Sequence, residues 1–164
     1  MKIQEQISDP ETANELSEKA FQLFFKERNK VEFFPYVLDE IEKLAQIYEL
    51  GCLTNGNADI EMIGIGKFFK FNISSKDVNA NKPNKNHFQK AVELLGISKE
   101  EILHIGDHKI NDMLGAISYG VKALWFNPDK EDWDLDDIKK PSEFNSWQGA
   151  VSYTHLTLPT IFAV

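Results

Sequence analysis

Three polar stretches interrupt an otherwise apolar pattern, and each stands where an apolar run stops. The first is Thr54-Asn55-Gly56-Asn57, directly after Leu50 to Leu53. It offers a hydroxyl and a glycine-relaxed backbone whose N–H groups could cradle an anion, although four turn formers in a row also make an ordinary turn. The second is Asn81-Lys82-Pro83, a cation beside a residue that stiffens the backbone; a lone lysine is more often a solvated charge. The third is Ile102-Leu103-His104-Ile105-Gly106-Asp107, with Asp112 five residues on. Two carboxylates converging at one strand end suit a hard divalent cation with oxygen ligands, and Mg²⁺ is the cation this chemistry favours. Asp112 also has a purely structural reading, since an acid in a first helical turn is favoured by the helix dipole. A hydroxyl, a lysine and two acids, each behind its own strand, are the parts of Mg²⁺-assisted phosphoryl transfer.

The elements that must position these groups follow from periodicity. Apolar residues at helical spacing predict an amphipathic helix from Pro10 to Arg28 and a second after Pro35, with Val37, Leu38, Ile41, Leu44, Ala45 and Tyr48 on one face. Short apolar runs predict strands at Leu50–Leu53, Phe69–Ile73, Ile102–Ile105 and Val121–Phe126, with helices at His87–Leu95 and Asn111–Ser118 between them. Ser98-Lys99-Glu100-Glu101 has capping-box spacing and opens at most one helical turn. Helices alternating with brief strands of no clear alternation imply an α/β fold, a doubly wound parallel sheet covered on both faces. In such sheets ligands bind beyond the carboxyl ends of the strands, which is where the three polar stretches fall. Residues 129–149 show no clean period and read as surface loops with a short terminal element.

Leu53-Thr54-Asn55-Gly56-Asn57, then Lys82-Pro83 followed by Phe88, then Ile102-Leu103-His104-Ile105-Gly106-Asp107 with Asp112 and Gly115-Ala116, together resemble motifs two to four of the haloacid dehalogenase-like (HAD) hydrolases. The resemblance spans about Phe33 to Pro128 and looks closest to bacterial phosphatases of phosphorylated sugars and flavin-pathway compounds. It implies a Rossmann-like core in which Thr54 and Lys82 are catalytic and Thr54, Asn55, Gly56 and Lys82 bind the phosphoryl group. Asp107 would hold Mg²⁺ with Asp112 in support. Residues 1–30 would be the remnant of a helical cap, and 31–149 the core. The family attacks phosphorus with an aspartate from an Asp-x-Asp-x-Thr motif on its first strand, forming an aspartyl-phosphate. No such strand precedes the cap segment here. Asp134-Leu135-Asp136-Asp137 is the one lookalike, but acids precede it and Ile138 stands where the family has threonine. The expectation is a HAD core lacking its first central strand, with unpaired edges between the strands carrying Thr54 and Asp107, inactive as written. The alternative is a non-catalytic phosphate- or Mg²⁺-binding module.

Val151 to Thr160 resembles the in-frame translation of a transposase-type sequencing adaptor, so residues 150–164 are expected to be a non-native tail. Of 164 residues, 26 are acidic and 18 basic, for a formal charge of −8. That balance argues against nucleic-acid binding and leaves a small phosphorylated metabolite as the expected partner. One cysteine, a polar acidic start and no apolar run long enough to span a bilayer imply a cytoplasmic protein without membrane contact. The sequence leaves oligomeric state open.

Overall fold

The computed structural model describes residues 9–56, 59–154 and 161–163. Helix α1, Pro10–Arg28, has the expected bounds. Asp9 caps it, its carboxylate accepting from the N–H groups of Glu11 and Thr12 at 3.3 and 3.1 Å. Its apolar stripe does not turn into the core: Ala13 is buried, but Leu16, Phe21, Leu23 and Phe24 are exposed. Helix α2, Val37–Ala45, buries Val37, Ile41 and Leu44 and leaves Leu38 exposed.

Strand β1 is Leu50–Thr54, and the short helix α3 (Ile60–Ile63) leads to β2, Phe71–Ser74. After α4 (Ser75–Val78) and α5 (Asn86–Leu95) come β3, Ile102–Gly106, a π-helical turn at Lys109–Leu114 and α6, Gly115–Tyr119. Strands β4 (Lys122–Phe126) and β5 (Ser142–Phe144), helix α7 (Ala150–Thr154) and β6 (Ile161–Ala163) complete the described chain. The Ser98 capping box forms and supports one short 3-10 turn, Lys99–Glu101.

The six strands are all parallel, in the order β2-β1-β6-β3-β4-β5. Side-chain alternation along β3 builds the two faces. Leu103 and Ile105 join Ile41, Leu44, Phe126 and Trp147 in one cluster, while Ile102 joins Phe88, Ala91 and Ala116 in the other. A parallel sheet covered on both faces is the expected doubly wound architecture.

One expectation is sharpened and one changes. The short element expected at the end of residues 129–149 is a strand: β5 pairs with β4, and its Phe144 packs against Phe126 and Trp147 with ring centroids 5.2 and 5.3 Å apart. Three residues are too few for periodicity to reveal. The foreseen gap beside β1 and β3 is also partly filled. Strand β6 pairs Phe162 and Ala163 with Leu50 and Gly51, and Ile161–Ala163 with Ile102–His104. Unpaired edges on two neighbouring parallel strands are a template for any chain that reaches them. Among the described residues this pairing reaches Gly51 on β1 and His104 on β3, short of the strand ends that lead to Thr54 and Asp107. Nor does packing break at residue 149: Ala150 is buried, and the Val151 N–H donates to Glu40 Oε2 at 3.0 Å. The rest of the expected tail, 155–160 and 164, lies outside the described residues, as do Asn57 and residues 1–8.

Candidate active site

Beyond the carboxyl ends of β1 and β3 lies a cavity of about 410 Å³, lined among others by Thr54, Asn55, Lys82, Asp107, His108 and Asp112. Thr54 is the last residue of β1. Its Oγ1 accepts from the Gly56 N–H at 2.9 Å, which leaves the hydroxyl proton to donate into the cavity and removes the Gly56 N–H from any anion cradle. Beneath it, His87 is completely buried with Nε2 3.2 Å from the Thr54 carbonyl. A carbonyl only accepts, so Nε2 carries the proton. Burial pushes the His87 pKa down, against the opposing effect of that hydrogen bond.

Lys82 comes from the loop after α4 and is buried despite its charge, 7% exposed. Three groups hold its backbone and head. The Asn55 side chain clamps the backbone, with Oδ1 accepting from the Lys82 N–H at 2.6 Å and Nδ2 donating to the Lys82 carbonyl at 2.9 Å. The Asn55 side chain therefore ties β1 to the lysine loop instead of pointing at a ligand. The ammonium donates to the Leu53 carbonyl and to Asp112 Oδ1, both at 2.6 Å. An ammonium has three N–H groups, so one remains for a ligand oxygen.

Asp112 sits in the π-helical turn, which His108 caps by accepting the Ile110 and Asn111 N–H groups on Nδ1 at 3.2 and 3.1 Å. That cap brings the turn back under β3. Asp112 Oδ1 then takes Lys82 and His104 Nε2, the latter at 3.1 Å, and Oδ2 takes the His108 N–H at 3.1 Å. Burial alone would raise the Asp112 pKa. The His104 hydrogen bond and the Lys82 charge outweigh it and hold the carboxyl well below the ordinary range. The close fit needs Gly106, where an added Cβ would lie 2.5 Å from Asp112 Cγ. Asp107 differs: it is exposed, its carbonyl accepts from Trp125 Nε1 at 2.8 Å, and its carboxylate makes no hydrogen bond to a described residue.

The predicted residues thus come together, with divided labour. Among the described residues no group of three or more His, Cys, Asp and Glu forms a metal cluster. Asp112 has both oxygens engaged, whereas Asp107 keeps a carboxylate at the cavity. Mg²⁺ commonly binds one or two carboxylates and fills its other positions with water and phosphate oxygens, so the hard donor at Asp107 fits such an ion arriving with a phosphate. The lookalike Asp134-Leu135-Asp136-Asp137 runs through a loop and turn, where Asp134 pairs with Lys109 at 3.0 Å. His104 and His87 were not anticipated. The available signal was a histidine inside an apolar strand and another at the start of an apolar-faced helix.

Residues 2–126 match the family model described as haloacid dehalogenase-like hydrolase. The chain belongs to this family. Its similarity to the 5-amino-6-(5-phospho-D-ribitylamino)uracil phosphatase YigB of Escherichia coli is 34% identity over 115 residues, 68% of this chain and 48% of that protein. A 2-haloacid dehalogenase from Pseudomonas syringae superposes with a TM-score of 0.83 at 31% identity, covering 90% of this chain and 64% of its own. The HAD-hydrolase YfnB from Bacillus subtilis, solved bound to magnesium, gives 0.72 at 27% identity over 87% and 63%. This HAD chain spans about half the length of the curated relative and under two thirds of either solved chain.

Proposed function

We propose that this HAD chain carries the phosphoryl-binding half of a Mg²⁺-dependent phosphatase acting on a small phosphorylated metabolite, a sugar phosphate or a flavin-pathway phosphate. The observation that carries the reading is the placement of Lys82: a buried ammonium, fixed by two acceptors, with one N–H left at a cavity that Thr54 and Asp107 also line. The likeness to a 5-amino-6-(5-phospho-D-ribitylamino)uracil phosphatase supports a small phosphorylated metabolite as the substrate class, and the magnesium-bound neighbour supports the metal.

In this reading Thr54 donates its hydroxyl proton to one phosphoryl oxygen and Lys82 donates to another. Both are preorganised, so no solvent must reorganise as charge develops. Asp107 would hold Mg²⁺, which when bound supplies positive charge to the phosphoryl oxygens. Asp112 serves as the anchor of Lys82, and Asn55 as the clamp that sets its height. Attack on phosphorus belongs to an aspartate of the Asp-x-Asp-x-Thr type, forming an aspartyl-phosphate, and the 164 residues contain no such motif. The 164-residue chain is therefore expected to bind phosphate without turnover, as a phosphate-binding module would. A cytoplasmic location suits such metabolites; no helix among the described residues is long and apolar enough to cross a membrane.

The test is a pair of measurements on the purified chain. Inorganic phosphate should perturb the NMR amides of Thr54, Lys82 and Asp107, and para-nitrophenyl phosphate with Mg²⁺ should not be hydrolysed above buffer. Turnover that vanishes in Asp136→Asn would transfer the chemistry to the lookalike motif. Perturbations confined to other surfaces would remove the site assignment.

A further inference from the structure

Strand β3 is apolar except for His104, which shares its face of the sheet with Ile102 and is completely buried. Its ring meets Phe88 edge-on, with centroids 5.1 Å apart and planes at 89°. An imidazole in such surroundings costs free energy unless its polar atoms find partners. Nε2 lies 3.1 Å from Asp112 Oδ1, the oxygen on which Lys82 donates at 2.6 Å. A carboxylate only accepts, so Nε2 is the donor. Asp112 is thereby held from behind by His104, on its second oxygen by the His108 N–H, and in front by Lys82.

We propose that His104 is a positioning residue for Lys82, acting through Asp112. The inference rests on the cavity being a phosphate site. Two of the three Lys82 N–H groups point at fixed acceptors, Leu53 O and Asp112 Oδ1, and their directions set the third. His104 fixes the second acceptor. Without its donor, Oδ1 answers to Lys82 alone, and the carboxylate can rotate toward the ammonium and draw it off the cavity. Nothing in this chain of contacts requires His104 to touch a ligand.

The experiment uses the 164-residue chain with inorganic phosphate as the probe. His104→Leu removes the donor, whereas His104→Gln keeps an N–H at comparable reach. Two readouts are followed beside thermal stability: phosphate affinity by NMR titration, and the slowly exchanging ¹⁵N ammonium signal of Lys82. His104→Leu should weaken phosphate binding about tenfold, within the span of a lost charge-assisted hydrogen bond, and should abolish the ammonium signal. His104→Gln should restore both to within about threefold. A folded His104→Leu with unchanged affinity and signal would overturn the proposal. So would a stable His104→Gln that loses as much as His104→Leu, since the role would then be shape alone. If His104→Leu does not fold, His104→Asn takes its place, its amide being too short to reach Asp112; equal behaviour of Asn and Gln would again overturn the idea. A wild-type chain that binds no phosphate, yet loses its Lys82 signal in His104→Leu, would remove the phosphate reading and leave the positioning role standing.

Discussion

Replacing Lys82 by methionine leaves Asp112 as a buried carboxylate without its ammonium partner. The side chains of the pair are 8% and 9% exposed and 2.6 Å apart, so water cannot take over the lysine's work. Breaking a buried pair from one side costs about 3–5 kcal/mol. His104 and the His108 N–H stay in place as donors, which puts the expected loss at the low end, about 3 kcal/mol. For a chain of this size that is a fall in melting temperature of roughly 10 °C. The double variant Lys82→Met/Asp112→Leu removes the stranded charge, and apolar replacement of a buried pair is often neutral. It should recover part of the lost stability while phosphate binding stays weakened. Calorimetric or circular-dichroism melts at pH 7, together with a phosphate titration, separate the two effects. A Lys82→Met chain that melts within about 1 °C of wild type would refute the reasoning, because the ion pair would then not be a buried one in solution.

Acid should destabilise the fold through the same carboxylate. The native Asp112 pKa is depressed and the unfolded one is near about 3.9, so the unfolded chain takes up the proton first as pH falls. The contribution is complete at neutral pH and declines below about pH 5, and urea midpoints should show a smaller decline in Asp112→Asn. Gly106→Ala would drive a Cβ into the pinned Asp112 carboxylate and should lower both stability and phosphate affinity, whereas Gly64→Ala, with open space around it, should cost only backbone strain. Lys82→Ala should cut phosphate affinity on the order of tenfold or more, while Lys76→Ala and Lys85→Ala stay within a few fold; equal losses would indicate a diffuse basic patch. Burial pushes the Cys52 thiol up to about 11, so iodoacetamide at pH 8 should label it slowly until the chain is unfolded.

Sequence alone determined the α/β class, the strand ends and four of the polar groups that meet there, because these depend on local signals. Apolar runs that stop at turn formers fix where a parallel strand delivers its last residue, and helical periodicity fixes which faces are covered. Thr54, Lys82, Asp107 and Asp112 were legible for that reason. Their division of labour was not, since it depends on distances between residues about 30 apart in the chain. Only the folded structure turns the Asn55 side chain onto the Lys82 backbone and gives both Asp112 oxygens to donors, leaving Asp107 as the carboxylate at the cavity. The apolar stripe on α1 was legible as a stripe, yet Leu16, Phe21, Leu23 and Phe24 stay exposed, because periodicity reports that a helix has an apolar side without saying what covers it. Strand β5 was too short for any period, and β6 lies in the β-prone segment set aside as a non-native tail for its resemblance to a translated adaptor. Its position follows from unmet backbone hydrogen bonds on β1 and β3, a demand that exists only once those two strands stand side by side.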